Sequence, residues 1–141
     1  MSVKQISVFI ENKKGALAEV TKFIAENKIN LNALSIADTR DFGILRIITD
    51  NPDNARDILR GEGYTVTATA VLAVAIDHTP GAMASVLGIL NDADIVIEYT
   101  YAFMSNTPDK AYMIFRVDNN DKATAALTAQ GVAVLNQEDI F

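Results

Sequence analysis

An α+β fold, in which one unit of a four-stranded antiparallel sheet and two helices is used twice, is predicted for this chain by three observations. Residues 6–34 and 72–100 match at a constant offset of 66, with Val8 over Val74, Ile10 over Ile76, Gly15 over Gly81, Val20 over Val86 and Ile29 over Ile95. The match resumes at an offset of 68, with Leu59 over Leu127, Gly63 over Gly131 and Val66 over Val134. A repeated unit of this size is itself a statement about architecture. Within each copy the apolar spacing switches between strand and helix periods in the order βαββαβ.

The first copy begins with Gln5 to Glu11, where Ile6, Val8 and Ile10 alternate as a strand with one apolar face. From Gly15 the period changes. Ala16, Leu17, Val20, Phe23 and Ile24 form a stripe opposite Glu19, Lys22 and Glu26, which predicts a helix over 15–27 whose apolar face lies on the sheet. Alternation returns at Ile29 to Ile36, turn residues follow over 39–43, and Ile44 to Ile48 reads as the return strand of a hairpin. Asn51-Pro52 supplies a helix cap and a first-turn proline, and Ala55, Ile58 and Leu59 give the short helix its buried side before Gly61 and Gly63. Tyr64 to Thr69 closes the unit as a strand.

The second copy fills the same slots: strand 71–76, helix 80–90, strands 95–103 and 111–117, helix 121–129 and strand 132–135. Domains are expected at 1–69 and 70–141. Thr65 to Leu72 runs between them without proline or glycine, unlike a flexible linker, so the two sheets are expected to be closely coupled. The change of offset puts two extra residues in the second hairpin, most simply in Met104 to Lys110. That polar segment is either a lengthened surface turn or a lid over a ligand.

At 141 residues and 50% hydrophobic content the chain can bury a core, whereas one copy alone would be marginal. The absence of cysteine excludes disulfides and a thiol nucleophile, and one histidine argues against a histidine-built zinc site, so no metal or cofactor is expected. The start shows no signal-peptide pattern, and no run approaches the length of a membrane span, which predicts a cytoplasmic protein with no membrane partner. A net charge of −6 without a lysine or arginine cluster opposes nucleic-acid binding. A small zwitterion meets no such obstacle.

The candidate chemistry sits in the repeated strand-to-helix loops, Glu11 to Leu17 and Asp77 to Met83. The first amides of a helix lack intrahelical partners and attract a carboxylate, and Gly15 and Gly81 would let a ligand approach the backbone. Equally, both glycines can simply make tight turns. Thr79-Pro80 resembles a cap followed by the first helical residue. Asn32 and its counterpart Glu98 either recognise an ammonium or polar group, or face solvent at a sheet edge. His78 is either polar surface or a donor to a carboxylate, and no serine, cysteine or spaced acid forms a relay with it. Tyr99 and Tyr101 share one side of a strand and either pack the sheet or an interface, or stack on a ligand. No Walker loop, HExxH, CxxC or calcium-loop pattern occurs, so the chain is not expected to be an enzyme.

The strand-loop-helix segments Glu11 to Leu17 with Asn27 to Leu31, and Asp77 to Met83 with Ala93 to Ile97, resemble two ACT domains spanning essentially the whole chain. This resemblance implies a duplicated ferredoxin-like fold in a free-standing regulatory protein, similar in kind to the small regulatory subunit of acetolactate synthase. It also implies an amino-acid site where the first loop of one ACT unit meets the second strand of a neighbour. Carried onto this chain, the loop residues are Asn12, Gly15, Ala16 and Leu17 in copy one, and His78, Gly81, Ala82 and Met83 in copy two. Copy one departs from the family pattern by carrying Lys14 where proline commonly precedes the glycine.

The expected partners are a free amino acid as effector, an enzyme of amino-acid metabolism, and a second copy in a homodimer that covers exposed sheet edges. The alternative function is a constitutive assembly subunit without ligand. A small enzyme using His78 and Glu98 is a third possibility.

Overall fold

In the computed structural model, which describes residues 2–38, 41–104 and 108–140, the apolar alternation of the first strand decides the first layer. Strand β1 (Val3–Glu11) turns Ile6, Val8 and Ile10 to one side, and β3 (Phe42–Thr49) sets Leu45 beside Val8 and Ile47 beside Ile6 in antiparallel register. Helix α1 (Ala16–Glu26) lays Val20 and Ile24 on this face, and α2 (Pro52–Gly61) adds Ala55 and Leu59. Strand β2 (Leu31–Asp38) pairs antiparallel with β3, and Val66 from the start of β4 (Thr65–Asp77) joins the same core. Each aliphatic side chain removed from water here contributes about 1.5–3 kcal/mol.

The second copy repeats the arrangement. Leu72, Val74 and Ile76 of β4 lie beside Phe115 and Val117 of β6 (Lys110–Val117), under Val86 and Leu90 of α3 (Ala82–Asp92) and Ala123 and Leu127 of α4 (Asn120–Ala129). Strand β5 (Ile97–Phe103) pairs with β6, and β7 (Ala133–Leu135) pairs with β4. Tyr99 stacks on Tyr101 along β5, their ring centroids 6.4 Å apart. A short 3-10 turn, Gln137–Ile140, follows and buries Ile140. The fold is therefore α+β with a duplicated βαββαβ order.

Contacts divide the chain into residues 4–69 and the residues from 70 onward together with 2–3. Strand β4 runs continuously through the junction, as its proline- and glycine-free sequence permits. The Asn51-Pro52 cap forms as expected: the Asn51 side chain accepts the Asn54 N–H at 3.2 Å, and Asn119 caps Lys122 in the same way at 3.0 Å. Helix α3 differs from expectation. It starts at Ala82 rather than Pro80, because Gly81 at φ 86° is its cap and Pro80 stays in the preceding turn. The turn residues 39–40 and the central part of the 104–110 connection, 105–107, lie outside the described residues.

Candidate functional site

Each strand-to-helix loop is shaped by a left-handed glycine. Gly15 (φ 88°) and Gly81 (φ 86°) occupy a region that L side chains adopt at a cost, and each caps a helix that has no side-chain cap. A Cβ at either position would meet nothing within 4 Å, so the glycines answer to backbone conformation and not to crowding. Each loop is also tied to the hairpin of its own unit. The Asn12 N–H donates to the Asp41 carbonyl at 3.2 Å, and the His78 N–H donates to the Asp109 carbonyl at 2.9 Å.

Next to each loop lies a cleft formed by the end of the first strand, the start of the first helix and the turn into the last strand. In unit one it measures about 340 Å³ and is lined by Glu11, Lys13, Ala16, Glu19, Glu62 and Tyr64. In unit two it measures about 330 Å³, with Asp77, Ala82, Ser85, Lys110, Gln130 and Val132 on its walls. Both fall at the small end of the range for small-molecule sites. The acid ending the first strand is ion-paired in each: Glu11 with Lys13 at 3.0 Å, and Asp77 with Lys110. Hydrogen bonding to Glu11, then its charge, raises the Lys13 ammonium above its ordinary pKa. Desolvation, then the nearby charges of Glu19 and Glu62, raises the Tyr64 phenol.

Ala16 and Ala82 line the clefts, whereas Asn12, Gly15, His78 and Gly81 form the neighbouring turn. Leu17 and Met83 pack partly against the two cores, as members of the apolar helix stripes. Asn32 and Glu98 sit at register shifts of β2 and β5, bulges that re-aim a side chain relative to its neighbours. The Glu98 carboxylate pairs with Arg116 at 3.2 Å, while the Asn32 carbonyl oxygen is buried with no hydrogen-bond partner among the described residues. Glu19, Glu62, Tyr64 and Gln130 were not singled out by sequence reasoning. The repeated Gly63 and Gly131, left-handed at φ 101° and 78°, mark the turn that carries Glu62 and Gln130 to the clefts and were the available signal.

The family model for an ACT domain pair matches residues 1–141. The chain belongs to the ACT domain pair family. It comprises two ACT units. The crystal structure of protein BT0572 from Bacteroides thetaiotaomicron is 41% identical, has a TM-score of 0.92, and is matched over 99% of this ACT pair and 96% of its own chain. The regulatory subunit of aspartate kinase from Thermus thermophilus, in its ligand-free form, is 18% identical with a TM-score of 0.69, over 91% and 90% of the two chains. The corresponding subunit from Thermus flavus is 18% identical with a TM-score of 0.64, over 89% and 88%. The two Thermus likenesses establish the fold. No curated protein sequence matches the ACT pair. No described helix is long and apolar enough to cross a membrane.

Proposed function

We propose that the chain is a cytoplasmic amino-acid sensor, in which a free amino acid bound between ACT units changes the surface presented to an enzyme of amino-acid metabolism. The observation that carries this reading is the pair of left-handed glycine turns, each heading a helix without a side-chain cap and with open space beside it. The N–H groups of Ala16 and Ala82 donate back to the Lys13 and Thr79 carbonyls, and the first-turn amides after them are the ones that would meet an α-carboxylate. Asn12, Gly15, Ala16 and Leu17 form one loop face, and His78, Gly81, Ala82 and Met83 the other. Asn32 or Glu98 on the second strand of a neighbouring unit then meets the ammonium or the side chain. The aspartate-kinase regulatory subunits of similar fold support an amino-acid-metabolism enzyme as the partner. A homodimer supplies further neighbouring units.

Regulation needs only differential affinity. A ligand that prefers one arrangement tenfold shifts the equilibrium by about 1.4 kcal/mol. The test is thermal unfolding of the purified protein against each of the twenty common amino acids at millimolar concentration, followed by calorimetry. A ligand at a hundredfold its Kd stabilises the folded form by about 2.7 kcal/mol, so a selective rise in Tm is expected for one side-chain class. Gly15→Asp and Gly81→Asp should fold, since aspartate tolerates the left-handed region better than most residues, and should lose that rise. Undiminished binding by both variants would refute the loop site. No response to any amino acid would leave the constitutive assembly role as the better account.

A further inference from the structure

Strands β2 and β5 carry the same bulge with different chemistry on it. Asn32 is the extra residue where β2 shifts against β3, between Leu31 and Ala33, and Glu98 is the extra residue where β5 shifts against β6, between Ile97 and Tyr99. A bulge takes its side chain out of the regular alternation of the strand. Beside the first bulge Ala33 lies opposite Ile48, and both are buried. Beside the second, Tyr99 lies opposite Arg116. The exchange of isoleucine for arginine decides what each bulge residue meets.

In unit one the Asn32 Oδ1 is buried and receives no hydrogen bond from the described residues. Leaving such an oxygen without a donor is costly, and native structures keep few of them. It is an open acceptor for an N–H group. In unit two the Glu98 carboxylate lies 3.2 Å from the Arg116 Nε, and the same guanidinium donates through Nη1 to the Val117 carbonyl at 3.2 Å. The arginine is fastened at two points, and the acid is neutralised before any ligand arrives. An ammonium brought to Glu98 also meets this fixed cation, and like charges set side by side oppose binding.

We propose that Arg116 is a positioning residue that withdraws Glu98 from ligand recognition, so that only the Asn32 strand completes a site and each chain binds one amino acid. This inference rests on the amino-acid site of the proposed function and assigns its ammonium acceptor to Asn32 alone. The duplicated backbone then carries one working position and one in which an internal ion pair takes the place of the ligand's charge.

Calorimetric titration of the full chain with each of the twenty common amino acids reads affinity and stoichiometry together. For the amino acid that binds, one equivalent per wild-type chain is expected. Asn32→Ala should weaken binding about 10- to 100-fold, the loss of one hydrogen bond to a charged group, and Glu98→Ala should leave the affinity unchanged. The double variant Glu98→Asn/Arg116→Ile copies the unit-one residues into unit two and should bind two equivalents, whereas Arg116→Lys keeps the cation and should still bind one. A merely structural role for Arg116 would lower Tm without adding a site. Two equivalents per wild-type chain, weakened binding by Glu98→Ala, or undiminished binding by Asn32→Ala would each overturn the inference while the amino-acid site stands. So would a double variant with the wild-type circular dichroism spectrum that still binds one; if that variant does not fold, the two alanine variants decide. Binding of no amino acid by the wild type would refute the proposed function, and this inference with it.

Discussion

At the bulge of the second unit's edge strand, Glu98 is held in an ion pair by Arg116, and the positions equivalent to these two in the first unit hold Asn32 and Ile48. The difference extends to the clefts, where Glu19, Glu62 and Tyr64 in unit one correspond to Ser85, Gln130 and Val132 in unit two. Beneath these surfaces much of the core is shared: Val20 and Val86, Leu59 and Leu127, and Val66 and Val134 are all buried. Two copies of one backbone therefore solve the same packing problem and present different chemistry. A ligand that distinguishes them must do so through the clefts, bulges and edges, since the buried core side chains lie out of its reach.

The largest expected effect tests how alike the cores are. Phe115 in unit two is fully buried where unit one has Ile47, also fully buried. Phe115→Ala should lower unfolding free energy by about 3–5 kcal/mol and Ile47→Ala by about 2–5 kcal/mol, read from urea denaturation. A loss well below this range at either site would mean that its core collapses around the cavity. A smaller effect of opposite sign concerns Thr49, whose fully buried hydroxyl has no hydrogen-bond partner among the described residues, at the position that Val117 fills in unit two. Thr49→Val should stabilise the protein by about 1 kcal/mol, because an unsatisfied buried polar group costs about that much or more. Destabilisation would show that the hydroxyl is satisfied in solution.

These contrasts also mark how far the sequence could be read. The two offsets and the alternation of Ile6, Val8 and Ile10 make the duplicated βαββαβ order legible, because periodicity reports which side of an element is buried. The caps at Asn51 and Asn119 and the glycines at the loop heads are legible for the same local reason. Glu62 and Tyr64 were not. Their approach to Glu11 and Glu19 is set by the turn from α2 into β4, which brings together residues about fifty apart in the chain. Pro80 misled the start of α3, since a proline suits the first helical position, but the left-handed Gly81 two residues before Met83 takes the cap.

Tyr64 allows the cleft contrast to be sharpened by pH. Its phenol is raised above the ordinary 10.0, first by desolvation, and unit two has Val132 in its place. Because the folded form holds this proton more tightly, the contribution to stability is fully present below the unfolded-state value. It is lost as pH rises through the folded-state value. Wild type should therefore lose stability through this alkaline range faster than Tyr64→Phe does, measured by urea unfolding at successive pH values. Identical slopes would mean that the phenol is as well hydrated in the folded protein as in the unfolded chain.

The smallest expected effect lies at the strand-helix contact that opens unit one. Lys4 donates to Asp53 at 2.7 Å, and this hydrogen bond is the first cause holding the Asp53 carboxyl below its ordinary 3.8. Unit two places Ala70 and Asp121 at the same positions, without a lysine to pair. Lys4→Met should move the Asp53 titration upward, followed by carboxyl chemical shifts in NMR, while changing stability little because the pair is exposed. A depressed carboxyl stabilises the fold above its unfolded-state pKa and ceases to do so as pH falls through the folded value. Any stability difference between wild type and Lys4→Met should therefore vanish in acid and shrink with added salt. An Asp53 titration unmoved by the substitution would show that Arg56, 3.3 Å from the same carboxylate, and not Lys4, holds the charge at this end of the helix, a contrast with unit two that would then rest on Thr124 at the position equivalent to Arg56.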